Sequence, residues 1–312
     1  MSKGPTFIGI GQMKAGTSWL FDQFYNYPDL WMPRVKELHL FNSGFSFNTL
    51  ENSFKTMLLQ NSKTHKIRPQ DPRSQAHWSK YENIDNIRRD YEFFAKIFLS
   101  PEGRKVRMRL RKFLQENKTV RVDEILWYKS LFPDDMTVTG EITPGYCTLK
   151  PSLIATIVQS LPHTKFILFL RHPADRTRSH LSHMTNNGQA HPDILHNVDA
   201  ARNVLSENPH IKSISDAASI AERWLQAAPN RLCIIPFSRI RDKPKQVRLQ
   251  VCEFLGLDSD DKYFPNPPNF NAKASRRKDV TDKVQTFLHE ELAPEIKSFE
   301  ALKLKLDDQY KW

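Results

Sequence analysis

The sequence has little cysteine, little glycine and no long apolar run. Its 312 residues include three cysteines and ten glycines. The cysteines are scattered and odd in number (Cys147, Cys233 and Cys252), which excludes a disulfide framework and any usual zinc-site spacing. No stretch approaches the roughly 18 consecutive apolar residues of a membrane span. We therefore expect a protein of a reducing compartment, the cytoplasm, with no transmembrane segment and no metal.

Acidic residues are also in deficit. There are 46 Lys and Arg against 35 Asp and Glu, which gives a net charge of +11. Such a charge attracts polyanions, but no nucleic-acid-reading signature accompanies it. We expect no nucleic-acid partner and leave peripheral contact with a membrane open. The first apolar segment, Thr6–Ile10, is too short for a signal-peptide core and has no cleavage site behind it, so we expect it to be a strand.

Short apolar runs followed by helical patterns organise most of the chain. Each run is continuously apolar at its centre, as in strands buried on both faces of a parallel sheet. The repetition predicts an α/β fold, a single domain over residues 1–312 with a central parallel sheet flanked by helices. Three such runs are predicted strands, Thr6–Ile10, Lys165–Leu170 and Arg231–Phe237, and Met136–Ile142 is a fourth candidate with a weaker apolar pattern. The predicted helices are Gly16–Tyr25, Pro173–Met184 and Pro244–Leu255.

Two regions depart from this pattern. Residues 42–133 are polar, rich in Lys and Arg, and largely helical in pattern, which predicts a helical insertion covering one side of a ligand site. Residues Asn186–Ser215 are rich in Asn, His and Ser. That composition is typical of loops, and we predict a loop there.

A glycine-bounded loop joins the first predicted strand to the first predicted helix. It reads Gly11-Gln12-Met13-Lys14-Ala15-Gly16-Thr17-Ser18. Glycines let backbone N–H groups approach an anion, and the helix start adds free N–H groups and the positive end of its dipole. The spacing resembles the nucleotide-triphosphatase loop G-x-x-x-x-G-K-[ST], but the lysine is displaced to position 14. The displacement disfavours magnesium–ATP and suits a donor whose bridging phosphate oxygen must be neutralised as it leaves.

A second anion site is predicted after the strand Lys165–Leu170. Arg171 stands at the carboxyl end of that strand, and Ser179 follows about two helical turns later, where it can face the same anion. An Arg fork with a hydroxyl suits a phosphate monoester. The alternative for the neighbouring Arg176 and Arg178 is simple pairing with Asp175.

Two segments carry carboxylates suited to proton transfer or substrate contact. One reads Lys36-Glu37-Leu38-His39-Leu40-Phe41, and the other reads Gly140-Glu141-Ile142-Thr143-Pro144-Gly145-Tyr146. A base of the Glu or His type typically contributes about 10²–10⁴ in rate. Glu37 and His39 are both candidates for that base.

These segments together resemble the sulfotransferases that use 3′-phosphoadenosine 5′-phosphosulfate, from Thr6 to about Lys278. The motifs are closest to the heparan-sulfate and carbohydrate branch, in a bacterial-type member. The resemblance implies a P-loop-like fold, that donor nucleotide as co-substrate, 3′-phosphoadenosine 5′-phosphate as product, and no metal. This chain departs from the branch by having Leu38 in place of Pro and Leu40 in place of an aromatic residue.

The resemblance also implies a role for each candidate residue. Glu37 is implied as the base, with His39 as its rival and Lys14 on the leaving phosphate oxygen. Lys36 is implied near the donor sulfate, Thr143 as a contact of the acceptor or the donor, and Glu141 as a residue that orients Lys14 or contacts the acceptor. The implied donor-binding residues are Gly11, Lys14, Ala15, Gly16, Thr17 and Ser18 at the 5′-phosphosulfate, Arg171 and Ser179 at the 3′-phosphate, and Arg276 and Arg277 in a basic loop over the nucleotide.

We therefore predict a transferase that moves a sulfuryl group in line to a hydroxyl, less readily to an amine, of a carbohydrate, lipid or small molecule. One alternative is a nucleotide kinase or ATPase with an altered loop, which the displaced lysine and the lack of a Walker-B-like acid disfavour. Another is a non-catalytic binder of a nucleotide or polyanion, which Glu37 disfavours. The identity of the acceptor and the oligomeric state are not predicted.

Overall fold

Five strands of the described chain form one parallel sheet. The computed structural model describes residues 3–25, 27–42, 84–116, 121–264 and 279–310. The strands are β1 Phe7–Gly11, β2 Leu30–Trp31, β3 Val138–Ile142, β4 Lys165–Leu170 and β5 Leu232–Pro236, in the order β2-β3-β1-β4-β5. β4 pairs with β5 from Phe166 opposite Leu232 to Leu170 opposite Pro236. The predicted α/β fold with a central parallel sheet is confirmed.

β1, β4 and β5 are largely apolar, which suits burial on both faces of a sheet, whereas β3 contains the buried polar residues Thr139 and Glu141. Every residue of β1, β3 and β5 is buried, and in β4 only Lys165 is partly exposed. Continuous apolar runs of this kind match strands of a parallel sheet covered on both sides. The structure adds β2, which was not predicted because two residues are too few to show a strand pattern.

Helices follow the strands and cover the sheet. The helix after β1 is α1 Thr17–Phe24, and the helix after β4 is α6 Pro173–Asn186. The others are α2 Ile84–Phe98, α3 Pro101–Glu116, α4 Val122–Ser130, α5 Pro151–Ser160, α7 Val198–Glu207, α8 Pro209–Ser215, α9 Ala217–Ala227, α10 Phe237–Asp242, α11 Pro244–Leu255, α12 Asp282–Glu291 and α13 Ala293–Tyr310.

Local signals explain where several of these helices start and stop. Proline occupies the first position of α5, α6 and α11, where its missing N–H removes no helical hydrogen bond. Gly256 ends α11 in the left-handed conformation, with φ of 75°. The predicted helix Pro244–Leu255 is confirmed residue for residue.

The predicted loop at Asn186–Ser215 is wrong, because the structure has helices α7 and α8 there. The Asn197 side chain caps α7 by accepting hydrogen bonds from the N–H groups of Asp199 and Ala200. Ala201 and Leu205 form the buried face of that helix. Most of the Asn, His and Ser residues that suggested a loop are caps or exposed positions, whereas Ser215 is buried against Arg176. Tertiary packing outweighed composition.

Two compact units can be distinguished along the chain. The first contains residues up to Ile8, then Phe21–Lys165 and the segment from Asp260; the second contains Gly9–Leu20, Phe166–Ser259 and helices α12 and α13. Aromatic rings dominate the core of the first, where Trp31 packs on Phe93 and Phe132. The second has an aliphatic cluster of residues from α6, α7, α8 and α12 around Leu181, Leu195 and Leu288.

The region predicted as a helical insertion is described only in part. Within residues 42–133, helices α2, α3 and α4 belong to the first unit, and residues 43–83 lie outside the described residues. None of the helices in the described ranges combines the length and apolar character needed to cross a bilayer. The three cysteines are buried free thiols.

Candidate active site

The loop between β1 and α1 is shaped around a glycine. Gly16 has φ of 105°, in the region that L side chains rarely adopt. A Cβ atom at this position would overlap the Ile240 side chain of α10. A residue other than glycine therefore fits neither the backbone conformation nor the space, and the predicted glycine requirement has a physical basis at Gly16.

Gln12 anchors this loop from inside the second unit. It is fully buried, and its backbone N–H donates to the Phe169 carbonyl at 2.7 Å. Its side-chain amide donates to the Ile214 carbonyl, and its Oε1 accepts from the Arg171 N–H at 3.0 Å. The sequence analysis did not single out Gln12. A polar residue directly after a fully apolar strand was the available signal.

Arg171 holds the loop from the carboxyl end of β4. Its Nη1 donates to the Lys14 carbonyl at 2.9 Å, and its guanidinium carbon lies 4.2 Å from the centroid of the Phe237 ring. The side chain is buried. The observed contacts therefore assign Arg171 to shaping the Lys14 loop, and its contact with a 3′-phosphate stays a prediction.

Helix α6 carries the other residues predicted around that phosphate. Ser179 is half-buried on this helix. Arg178 forms an exposed pair with Asp175 at 3.3 Å, as the alternative interpretation had it. Arg176 is instead completely buried, where its Nε donates to Ser215 Oγ at 2.9 Å and its Nη2 to the Ile211 carbonyl at 3.0 Å. It is a structural residue of the second unit.

His180 reports the electrostatic potential beside the Lys14 loop. Burial, followed by the positive charges of Arg176 and Lys14, lowers its pKa to about 3. Arg176 Nη1 lies 3.4 Å from His180 Nδ1. His180 is thus neutral, chiefly because it is buried, and the positive charges of Arg176 and Lys14 that add to this effect also favour an anion near Lys14.

The remaining donor-site candidates differ in exposure. In the second unit, Ala15 and Thr17 are buried, whereas Ser18 is exposed at the start of α1. Gly11 is buried as the last residue of β1. Arg276 and Arg277 lie outside the described residues, so their predicted contact with the nucleotide is untested.

The first unit holds the segment around Glu37. The Glu37 N–H donates to the Ile142 carbonyl at the end of β3, at 3.0 Å. Glu37 Oε1 lies 3.4 Å from Lys36 Nζ, and Oε2 lies 3.4 Å from His39 Nε2. Burial acts to raise the pKa of Glu37, but the hydrogen bond from His39 and the charge of Lys36 outweigh it and leave the pKa lowered. Glu37 is therefore ionised at neutral pH, as a general base must be.

The rival base, His39, is a partner of Glu37. Its Nδ1 lies 3.0 Å from Asn42 Oδ1, and its Nε2 faces the Glu37 carboxylate. Burial acts to lower the pKa of His39, but the contacts with Glu37 and Asn42 and the charge of Glu141 raise it. With an acceptor at each ring nitrogen, the imidazole favours its doubly protonated form. In that form His39 has no lone pair with which to take a proton.

Three candidate residues share an uncommon backbone conformation. In the described ranges, the non-glycine residues with positive φ are Lys14 at 66°, Glu37 at 70° and His39 at 56°. Such a conformation costs about 1–3 kcal/mol and persists only when the surrounding structure holds it, as often happens at functional sites. All three were named from the sequence as catalytic candidates, and this shared feature supports that assignment.

Glu141 and Thr143 form a buried network behind the Glu37 segment. Glu141 Oε1 accepts from the Tyr128 hydroxyl at 2.8 Å, and Oε2 accepts from the Thr143 hydroxyl at 2.5 Å. Burial raises the pKa of Glu141, against the lowering effect of these hydrogen bonds. The observed partners of Glu141 are thus hydroxyl groups of the protein. Tyr128, which the sequence analysis missed, comes from the predicted insertion and carried no local motif.

Each of the two regions has its own set of charged and polar groups. Among the described residues, no group of three or more His, Cys, Asp or Glu is arranged to hold a metal ion. The Lys14 loop combines a helix start with positive potential, which suits phosphate or sulfate. The Glu37 segment supplies an ionised carboxylate, which suits proton removal.

Comparison with known proteins identifies what the chain is similar to. A family model described as "Sulfotransferase family" matches residues 5–261. The crystal structure of a sulfotransferase from Alicyclobacillus acidocaldarius is 19% identical, with a TM-score of 0.54 and coverage of 96% of this chain and 95% of that one. The sulfotransferase domain of the Synechococcus PCC 7002 olefin synthase is 12% identical, with a TM-score of 0.47 and coverage of 95% of each chain. Comparison with curated proteins gives no significant match.

Proposed function

Because this chain belongs to the sulfotransferase family, we propose that it transfers the sulfuryl group of 3′-phosphoadenosine 5′-phosphosulfate to an acceptor hydroxyl, with Glu37 as the base. The acceptor is a carbohydrate, lipid or small alcohol; an amine is a weaker candidate. Enzymes of this family typically use this donor. The free buried thiols and the lack of a membrane-crossing helix in the described ranges are compatible with the cytoplasmic location that we propose.

The observation that carries the proposal is the charge environment of Glu37. Its carboxylate lies 3.4 Å from Lys36 Nζ and 3.4 Å from His39 Nε2, and its pKa is lowered. An ionised, 37% exposed carboxylate is able to accept a proton from an incoming substrate. Both ring nitrogens of His39 already have partners, Glu37 and Asn42. We therefore propose that His39 orients the Glu37 carboxylate and stabilises its negative charge.

The proposed reaction balances without a metal. Glu37 takes the proton of the acceptor hydroxyl as its oxygen forms a bond to sulfur. The bond between sulfur and the bridging 5′-phosphate oxygen breaks, and its electron pair stays on that oxygen. Lys14 stabilises the resulting negative charge, an electrostatic contribution that often dominates catalysis. The products are a sulfate ester and 3′-phosphoadenosine 5′-phosphate, and water later takes the proton from Glu37.

Donor binding is proposed for the second unit. The main-chain amides of residues 11–18, Lys14 and the hydroxyls of Thr17 and Ser18 hold the 5′-phosphosulfate. Arg171, Ser179, Arg276 and Arg277 hold the 3′-phosphate and the nucleotide. Support comes from the helix start behind Gly16 and from the positive charges of Arg176 and Lys14, which contribute to the lowered pKa of His180.

The test measures transfer from the ³⁵S-labelled donor to acceptors in a host extract, followed by identification of the labelled product. Wild-type protein is expected to label a product without magnesium or ATP, and Glu37→Gln is expected to lose about 10²–10⁴ in kcat while still binding 3′-phosphoadenosine 5′-phosphate. Full activity in Glu37→Gln would transfer the base role to His39. Turnover of ATP with magnesium would favour a kinase, and nucleotide binding with no turnover would favour a binding protein.

A further inference from the structure

Glu141 is the most deeply buried carboxylate near the Glu37 segment, and it has no direct role in the proposed reaction. It is 1% exposed, at the penultimate position of β3. Its carboxylate is surrounded by the hydroxyl groups of Tyr128, Thr143 and Tyr146. A carboxylate so enclosed presents no oxygen to a substrate, so its role has to be exerted through its neighbours.

Two of those neighbours contact the backbone of the Glu37 segment. Thr143 Oγ1 accepts from the His39 N–H at 3.4 Å, and Tyr146 Oη accepts from the Leu40 N–H at 2.9 Å. The Glu37 N–H is held separately by the Ile142 carbonyl. The segment is therefore attached to the end of β3 and the turn after it at three points.

Counting protons shows what Glu141 contributes to these attachments. A hydroxyl has one proton and two lone pairs, so it accepts an N–H best when its own proton is used elsewhere. The Thr143 hydroxyl donates to Glu141 Oε2, and the Tyr146 hydroxyl is hydrogen-bonded to the same carboxyl group, while their oxygens accept from His39 and Leu40. By accepting the Thr143 proton, Glu141 orients that hydroxyl in the direction that the segment needs.

The attachments matter because Glu37 and His39 have positive φ values, which are held only by surrounding contacts. Gly145 adds a steric limit, since a Cβ there would overlap Asn42 Nδ2, and Asn42 is the partner of His39 Nδ1. A turn with so little free space keeps His39 and Asn42 in one arrangement.

We infer that Glu141 is a positioning residue: its buried carboxylate orients the Thr143 and Tyr146 hydroxyls so that they hold the Glu37–Leu40 backbone in the conformation in which Glu37 serves as the base. This inference rests on the proposed function for its kinetic consequence. Its structural consequence, the arrangement of His39 between Glu37 and Asn42, is independent of turnover. The two are therefore measured separately.

The first experiment compares wild type with Glu141→Gln. An amide presents one acceptor and an NH₂ group, so at least one hydroxyl must turn its lone pair away from the segment. We expect kcat to fall about 10²-fold, as for a small misplacement of a reacting group, with affinity for 3′-phosphoadenosine 5′-phosphate changed less than about 3-fold. Histidine-selective NMR titration, assigned with His39→Gln, is expected to show a lower His39 pKa in Glu141→Gln. The charged groups facing His39 are Glu37 and Glu141, with Lys36 beside Glu37, and the neutral Asn42 lies at Nδ1.

A second pair of variants covers the case in which Glu141→Gln does not fold. Thr143→Val removes the hydroxyl and keeps the shape, whereas Thr143→Ser keeps the hydroxyl. Thr143→Val is expected to lose about 10-fold or more in kcat and Thr143→Ser to stay within about 3-fold of wild type. The matched control is Thr139→Val on β3, because Thr139 Oγ1 is buried but donates to the Gly4 carbonyl, at 3.2 Å.

The outcomes separate this inference from the proposed function. Wild-type protein that transfers no sulfuryl group contradicts the proposed function, and the His39 titration still tests the positioning role. An unchanged His39 pKa in Glu141→Gln, or equal losses of kcat in Thr143→Val and Thr139→Val, overturns the inference. A loss of kcat that tracks only a loss of melting temperature across the variants also overturns it.

Discussion

The loop around Lys14 and the segment around Glu37 both contain left-handed backbone, but different contacts hold them. Buried polar residues of the second unit fix the loop. Arg171 donates to the Lys14 carbonyl, and Gln12 donates to the Phe169 carbonyl from its backbone N–H and to the Ile214 carbonyl from its side-chain amide. The Glu37 segment is held through its own N–H groups, which reach the Ile142 carbonyl and the Thr143 hydroxyl.

Their electrostatics differ as well. Around the loop, positive charges accumulate and help hold the pKa of His180 at about 3. Around Glu37, opposite charges alternate, with Lys36 and His39 each 3.4 Å from the carboxylate. The difference assigns separate tasks to the two regions. Accumulated positive charge attracts an anion. In the balanced cluster, which consists of Lys36, Glu37 and His39, the neighbouring positive charges keep the Glu37 carboxylate ionised, so that it is able to accept a proton.

Lys14→Ala is expected to have the largest effect among the tests of this comparison. Loss of the charge that stabilises the leaving phosphate oxygen should lower kcat about 10²–10³-fold. Steady-state kinetics with the labelled donor measures kcat of Lys14→Ala, and a binding assay measures the nucleotide affinity of Glu37→Gln for comparison. If Lys14→Ala keeps full kcat while Glu37→Gln loses nucleotide affinity, the tasks of the two regions are reversed.

Gly16→Ala tests whether the shape of the loop is fixed by packing. The positive φ alone costs about 1–2 kcal/mol, and overlap with Ile240 should add about 1–3 kcal/mol to the loss in free energy of unfolding. The matched control is Gly188→Ala, because Gly188 has φ of 68° and its Cβ would meet no atom of the described residues within 4 Å. Urea unfolding compares the two variants. Equal losses would show that the contact with Ile240 is unimportant.

The pH dependence tests the balanced cluster. Because the pKa of Glu37 is lowered, its carboxylate stays ionised as the pH falls, until the pH reaches that lowered pKa. The acidic limb of kcat/KM should therefore lie below the ordinary range of a glutamate carboxyl.

Lys36→Met should move this limb to higher pH, since it removes a charge that lowers the pKa of Glu37. Lys36→Arg retains the charge and is the control. A limb that stays in place in Lys36→Met would mean that the Lys36 charge does not act on the base.

The smallest effect is expected at the surface of α6. Arg178 pairs there with Asp175, and the two side chains are 35% and 44% exposed. Arg178→Ala should change the free energy of unfolding by less than about 0.5 kcal/mol and leave kcat unchanged, because solvent screens an exposed ion pair. Urea unfolding and steady-state kinetics measure the two quantities. A tenfold drop in kcat would instead place Arg178 in donor binding.

Much of the fold and the identity of the candidate residues could be predicted from local pattern. Apolar runs indicated β1, β4 and β5, and a weaker pattern indicated β3. The displaced lysine of the loop predicts a donor other than magnesium–ATP, and this stays a prediction. The helices at 198–215 were missed because capping Asn residues and exposed polar residues look like a loop in composition. Gln12 and Tyr128 were missed because each acts through partners that lie elsewhere in the sequence, at Ile214 and Glu141.

The sequence by itself determined which residue types stand at the turns: a lysine inside a glycine-bounded loop, a Lys-Glu-x-His segment, and a Gly-Glu-x-Thr-Pro turn. These three motifs are visible in the sequence because the residues of each lie within a few positions of one another. Only the tertiary structure decided that His39 is the partner of Glu37, that Arg171 donates to the Lys14 carbonyl and that Glu141 is enclosed by hydroxyls. Proton affinity and hydrogen-bond direction depend on burial and on neighbours brought together by folding, so no local pattern could specify them.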